Sequence, residues 1–127
     1  MVVKKNVKLL KSLNNLKSAV RFYEKDTKAP DEIRFIALSK AFEVCVEYAW
    51  KELKTRVEEE GLDAESPKET IRQSARIGLI ASAEIWLDFI SVRNEGVHDY
   101  FDIPESDYLE LAKCLLKECN KHLLLKS

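Results

Sequence analysis

The eight residues Arg93-Asn94-Glu95-Gly96-Val97-His98-Asp99-Tyr100 gather a permanently charged guanidinium, an imidazole that exchanges a proton near neutral pH, and a phenol. That set suits a phosphate ester, where a cation meets the phosphoryl oxygens and the imidazole moves a proton. Spacing limits how the groups cooperate. Helical residues advance by about 100° each, so positions 93 and 98 are rotated by about 140° on an unbroken helix and do not easily share one phosphate. Asn94 and His98 are four apart and therefore neighbours on one face, which places the amide to orient the imidazole. Two arrangements reunite the arginine with the histidine. Gly96, with little helical preference and free access to positive φ, lets the chain unwind and swing the arginine round. Alternatively, two copies of the segment meet in a symmetric dimer and each arginine serves the other chain's histidine.

In either arrangement the chemistry is cleavage of RNA without a metal. His98 takes the proton of a ribose 2′-OH, or delivers one to the leaving 5′-oxygen, while Arg93 holds the charge that builds on phosphorus-bound oxygen. DNA is refused because it lacks the 2′-OH nucleophile. The spacing alone has low specificity, since a surface arginine and a satisfied histidine also meet it. By themselves Tyr100 reads as a partly buried bundle aromatic, Trp50 and Trp86 as core or dimer-interface residues, and Asp99 and Asp102 as caps of the last helix.

The elements that position this segment are expected to be helices. Three glycines and three prolines against 46% hydrophobic and 34% charged residues leave few turns for short strands. Leu9, Leu13, Leu16 and Val20 recur at steps of three and four, predicting a first helix over residues 4–23 that Ala29-Pro30-Asp31 ends. Phe35, Leu38, Phe42, Val46, Ala49, Leu53 and Val57 sustain one stripe up to Gly61, a spine for the molecule. Ser66-Pro67-Lys68-Glu69 carries a capping serine, proline at the first helical position and a capping-box glutamate, and opens a short helix ending at Gly78. Ser82 caps a fourth helix bearing Ile85, Trp86, Phe89, Ile90 and Arg93. Ile103-Pro104-Glu105 opens the last, with Tyr108, Ala112, Leu115, Cys119 and Leu123 inward. The expected fold is an all-α, antiparallel four-helix bundle with one short extra helix, formed by residues 1–127 as one domain.

The net charge of −1 excludes a protein that coats nucleic acid by bulk electrostatics, so any RNA contact is local. Lys4, Lys5, Lys8, Lys11 and Lys17 make the first helix basic, a run that reads as a solvated face. The start lacks the apolar stretch of a signal peptide and no run approaches the roughly 18 apolar residues of a membrane span, so a cytoplasmic protein without membrane contact is expected. Cys45, Cys114 and Cys119 contain no Cys-x-x-Cys pair and sit in apolar helical stretches, as buried reduced thiols do. Cys119 and His122 share a helical face, but with two histidines in the chain a metal ligand set is hard to assemble, and neither metal nor cofactor is expected.

Phe42-Glu43, Tyr48-Ala49-Trp50-Lys51, Ser66-Pro67, Ile71-Arg72, Ala75, Gly78-Leu79-Ile80, Trp86, Arg93-Asn94, His98 and Tyr100 together resemble the HEPN proteins encoded beside minimal nucleotidyltransferases. These include the nucleotidyltransferase substrate-binding proteins and the HepT toxins, and the resemblance covers residues 7–125. It implies a helical bundle that forms a homodimer and builds a metal-independent RNase cleft from the arginine and histidine of both subunits. Carried over to this chain, Arg93 is the phosphate-contacting arginine, Asn94 the polar residue beside it and His98 the catalytic histidine. Tyr100 matches the tyrosine to which the partner nucleotidyltransferase, the antitoxin, transfers AMP from ATP to silence the toxin. The resemblance departs at Gly96-Val97, where many relatives carry a more polar, hydroxyl-bearing pair. A second function fits the same chain: a non-catalytic subunit that presents nucleotide or substrate to the partner enzyme. The absence of an RNA-tracking basic face favours it. A plain scaffold bundle is the third.

Overall fold

The computed structural model describes residues 6–98 and 103–124, with the side chains of 95–98 excepted. Five helices follow in chain order: α1 (Val7–Lys25), α2 (Asp31–Glu59), α3 (Pro67–Arg76), α4 (Ala83–His98) and α5 (Glu105–His122). Among the described residues there are no strands. The predicted all-α bundle with one short helix is therefore the observed architecture, and α2 packs against all four other helices. At 29 residues, or about 43 Å of rise, α2 is long enough to carry the whole core on its length.

The predicted stripes are the ones buried. Every one of Phe35, Leu38, Phe42, Val46, Ala49, Leu53 and Val57 on α2 is inaccessible to solvent, as are Tyr108, Ala112, Leu115 and Cys119 on α5. Aromatic rings join the helices edge to face. Phe35 and Phe42 of α2 flank Tyr108 of α5 at centroid separations of 5.3 and 5.6 Å; Phe42 meets Phe89 of α4 at 6.2 Å, and Phe89 meets Trp86 at 5.2 Å. Each such pair contributes about 0.5–1.5 kcal/mol beyond the area it buries, and the edge-to-face geometry fixes how α4 and α5 are rotated on α2. The Trp86 indole reaches past the apolar layer to donate to Glu118 Oε1 at 3.0 Å, so its N–H is satisfied on α5.

Helix ends follow local chemistry. Asn6 Oδ1 accepts from the Leu9 amide at 3.0 Å, which moves the start of α1 three residues beyond the predicted position 4. Ser66 Oγ accepts from the Glu69 amide at 3.1 Å, and Ser82 Oγ from the Ile85 amide at 3.3 Å. The Glu69 carboxylate accepts from the Gln73 side chain at 3.2 Å, so the capping box is made on its serine side. Gly61 and Gly78 adopt φ of +80° and +83°. The Leu62 amide then reaches back to the Val57 carbonyl at 3.3 Å and that of Leu79 to the Ser74 carbonyl at 2.8 Å, the six-to-one bonds of a Schellman stop.

Two arginines tie ends together, each joining a pair within its own helix to backbone carbonyls of another segment. Arg34 donates to the Tyr23 carbonyl at 2.6 Å and the Ala29 carbonyl at 3.2 Å, pairs with Asp31, and lies over the Tyr23 ring, clamping the turn between α1 and α2. Arg56 donates to the carbonyls of His122 and Leu123 at 3.1 and 2.8 Å, closing the C-terminal end of α5. Its Nε reaches Glu52 at 2.8 Å, and Glu52 in turn accepts from Asn6 at 2.7 Å. Three helix ends thus meet in one chain of hydrogen bonds.

Candidate functional site

α4 carries the segment singled out in the sequence. It is held on α2 and α5 by Trp86, Phe89 and Ile90, all buried, which leaves Arg93 on the border of the core and Asn94 exposed. α4 stays helical through Gly96 to His98, so the chain does not unwind at that glycine. Positions 93 and 98 accordingly keep the rotation of about 140° that an unbroken helix imposes. The side chain of His98 and all of Tyr100 lie outside the described residues, as do Asp99 and Asp102.

The Arg93 guanidinium is 24% exposed and already directed. Its Nη2 donates to Glu47 Oε2 across the α2–α4 interface at 2.5 Å, and its Nη1 donates to Asn94 Oδ1 at 2.9 Å. Asn94, expected to orient the imidazole, has its amide oxygen on the arginine. Glu47 is a residue the sequence reading did not single out. Its carboxylate also accepts from Trp50 Nε1 at 3.2 Å and lies 3.2 Å from Lys51 Nζ. Burial opposes its charge, but the hydrogen bonds from Trp50 and Lys51 and the charge of Arg93 outweigh that, and Glu47 is held below the usual carboxylate range. The one local sign of this cluster was the spacing of Glu47, Trp50 and Lys51 at i, i+3 and i+4; the partner on α4 is 46 residues away.

The remaining expectations resolve plainly. Trp86 is core, and Trp50 is half-buried with its indole N–H on Glu47. Lys8, Lys11 and Lys17 are exposed along α1, and Lys4 and Lys5 lie outside the described residues. Cys45 and Cys119 are buried, whereas Cys114, one position from the inward Leu115, is half-buried. Contact with the Cys45 thiol and then burial push the Cys119 thiol well above its ordinary value. Beside Cys119, His122 Nε2 lies 3.8 Å from Glu118 Oε1. Among the described residues no three His, Cys, Asp or Glu side chains cluster as a metal site, and no helix is long and apolar enough to cross a membrane.

An all-α bundle whose fourth helix carries Arg-Asn and ends on a histidine has the architecture of HEPN-type proteins. The chain belongs to the family described as nucleotidyltransferase substrate binding protein like, which it matches over residues 5–118. It is also similar to a crystal structure of a protein from Thermus thermophilus, at 28% identity and a TM-score of 0.64, covering 86% of this chain and 96% of that one. No curated protein matches the chain.

Proposed function

We propose that this protein is a metal-independent endoribonuclease, the toxin of a pair whose antitoxin is a minimal nucleotidyltransferase, and that it works as a cytoplasmic homodimer of one-domain chains. The observation that carries the reading is the directed Arg93 guanidinium on the helix that ends at His98, in a chain of this family. His98 of one protomer removes the 2′-OH proton, the freed oxygen attacks phosphorus, and the 5′-oxygen leaves with a proton, giving a 2′,3′-cyclic phosphate. Arg93 of the other protomer holds the charge that accumulates on the non-bridging oxygens, since α4 keeps the two positions apart within one chain. AMP transferred from ATP to the Tyr100 hydroxyl, with pyrophosphate released, silences the enzyme: the phosphate ester two residues from His98 competes for Arg93 and fills the space of the RNA.

Purified protein is expected to cut RNA in EDTA. Arg93→Ala should lower the rate by about 10²–10³ and His98→Ala by about 10²–10⁴; cleavage that persists in both variants rejects the roles. The family's description favours a second reading, a non-catalytic subunit presenting substrate to a nucleotidyltransferase. Calorimetry separates the two, because tight ATP binding with no RNA turnover is the signature of the second.

A further inference from the structure

Arg93 shares its counter-ion. One carboxylate, Glu47, faces two cations: Oε2 accepts from Arg93 on α4, and Oε1 lies against Lys51 one turn further along α2. Among the described residues the cluster therefore keeps one positive charge in excess, on a surface where the Lys51 side chain is 54% exposed and that of Arg93 24%. A surface ion pair needs only one cation, and an isolated pair of this exposure contributes little to stability. The donors are also under-used. Of the five N–H groups of Arg93, the described residues Glu47 and Asn94 take one each, and the Lys51 ammonium has further N–H groups beyond the one turned to Glu47. Two cations held on the two oxygens of one carboxylate are neighbours, and together they can donate to the oxygens of one phosphate.

The geometry points to Lys51 as a second phosphate-binding side chain beside Arg93, with Glu47 as the positioning residue that presets both cations. The inference rests on Arg93 as the phosphate-holding residue, and it names the phosphate of single-stranded RNA as the ligand, with a nucleotide phosphate as the other source of the same chemistry. Trp50 is pinned by its indole N–H to the same carboxylate.

The test is equilibrium binding of a 2′-O-methyl RNA oligomer, which cannot be cut, over a range of salt, together with ATP titrations, for wild type, Lys51→Gln, Glu47→Ala and Glu47→Gln. Lys51→Gln should weaken RNA binding several-fold and reduce the salt slope by about 0.7, the increment of one single-strand phosphate contact. A purely structural lysine would not move that slope. Glu47→Ala removes a negative charge and by bulk electrostatics should tighten RNA binding; as a positioning residue its loss weakens binding several-fold, and Glu47→Gln, which keeps an acceptor, recovers part of it. Dependence on Lys51 for ATP but not RNA upholds the cradle and assigns it to a nucleotide. Lys51-dependent RNA binding by a protein that leaves the 2′-OH form of the oligomer uncut upholds the cradle and rejects the nuclease. Affinities for RNA and for ATP that are both unchanged in Lys51→Gln, with the RNA salt slope unchanged too, tighter RNA binding by Glu47→Ala, or no binding of either ligand by wild type overturns the inference.

Discussion

Glu47 and Asn94 hold the Arg93 guanidinium by hydrogen bonds; under the proposed function this lowers the entropy given up when the phosphate arrives, compared with a guanidinium waving in solvent. The residues proposed to carry the chemistry, Arg93, Asn94 and His98, are ones the sequence itself singles out. Glu47 is not one of them, because its role is defined by a partner on another helix and its local surroundings resemble any charged helix face. Two further outcomes belong to this scale. Cys45 and Cys119 are buried and Cys114 is half-buried, so Cys114 should react first with a thiol reagent under native conditions, and all three only after unfolding. Equal reactivity of the three would contradict the burial. Tyr23 donates to Glu105 Oε2 at 2.6 Å, and burial first, then that hydrogen bond and charge, push its phenol up to about 12. A pKa raised in the folded state stabilises the fold fully below the unfolded value near 10 and loses that contribution as pH climbs through 12. The stability gap between wild type and Tyr23→Phe should therefore be flat from neutral pH to about 9, at roughly 0.5–1 kcal/mol for so exposed a bond, and close above 10; a gap that widens with alkali would contradict the hydrogen bond.

Helix by helix, the termini separate what was legible from what was not. Ser66, Ser82, Gly61 and Gly78 act at the positions where a local rule places them, because a cap and a left-handed stop are decided within four or five residues. The ends of α1 were misjudged by two or three positions. Its start answers to Asn6, which is shared with Glu52 on α2, and its end at Lys25 is followed by a turn that Arg34 clamps. At Gly78 a Cβ would meet nothing within 4 Å, so the cost of substitution is conformational alone. Gly78→Ala should lower stability by about 1–2 kcal/mol, with Gly78→Asn losing less because asparagine tolerates that backbone. Urea titration measures both, and equal losses would show that packing, not backbone, decides the position.

For the molecule as a whole, the aromatic chain from Phe35 through Tyr108, Phe42 and Phe89 to Trp86 joins α2, α4 and α5, and so holds the helix bearing Arg93 in register with the one bearing Glu47. Phe42 sits at its centre, and Phe42→Ala should cost about 3–5 kcal/mol, a large share of the roughly 5–15 kcal/mol that keeps a protein of this kind folded. Loss of under 1 kcal/mol by denaturant titration would contradict that central place. Periodicity alone foretold which residues fill this core, since burial is a property of one helix face, whereas the rotation of α4 against α2 depends on ring-to-ring contacts between distant segments. The course of α4 stays helical through Gly96, and under the proposed function Arg93 and His98 reach one phosphate by pairing between two copies. The most direct test mixes Arg93→Ala with His98→Ala, allows subunits to exchange, and follows RNA cleavage in EDTA. With each site built across two chains, half of the randomly paired dimers hold one intact site of two, so the mixture should regain roughly a quarter of the wild-type rate while each variant alone stays inactive. A mixture as inactive as its components, beside an active wild type, would contradict the shared site.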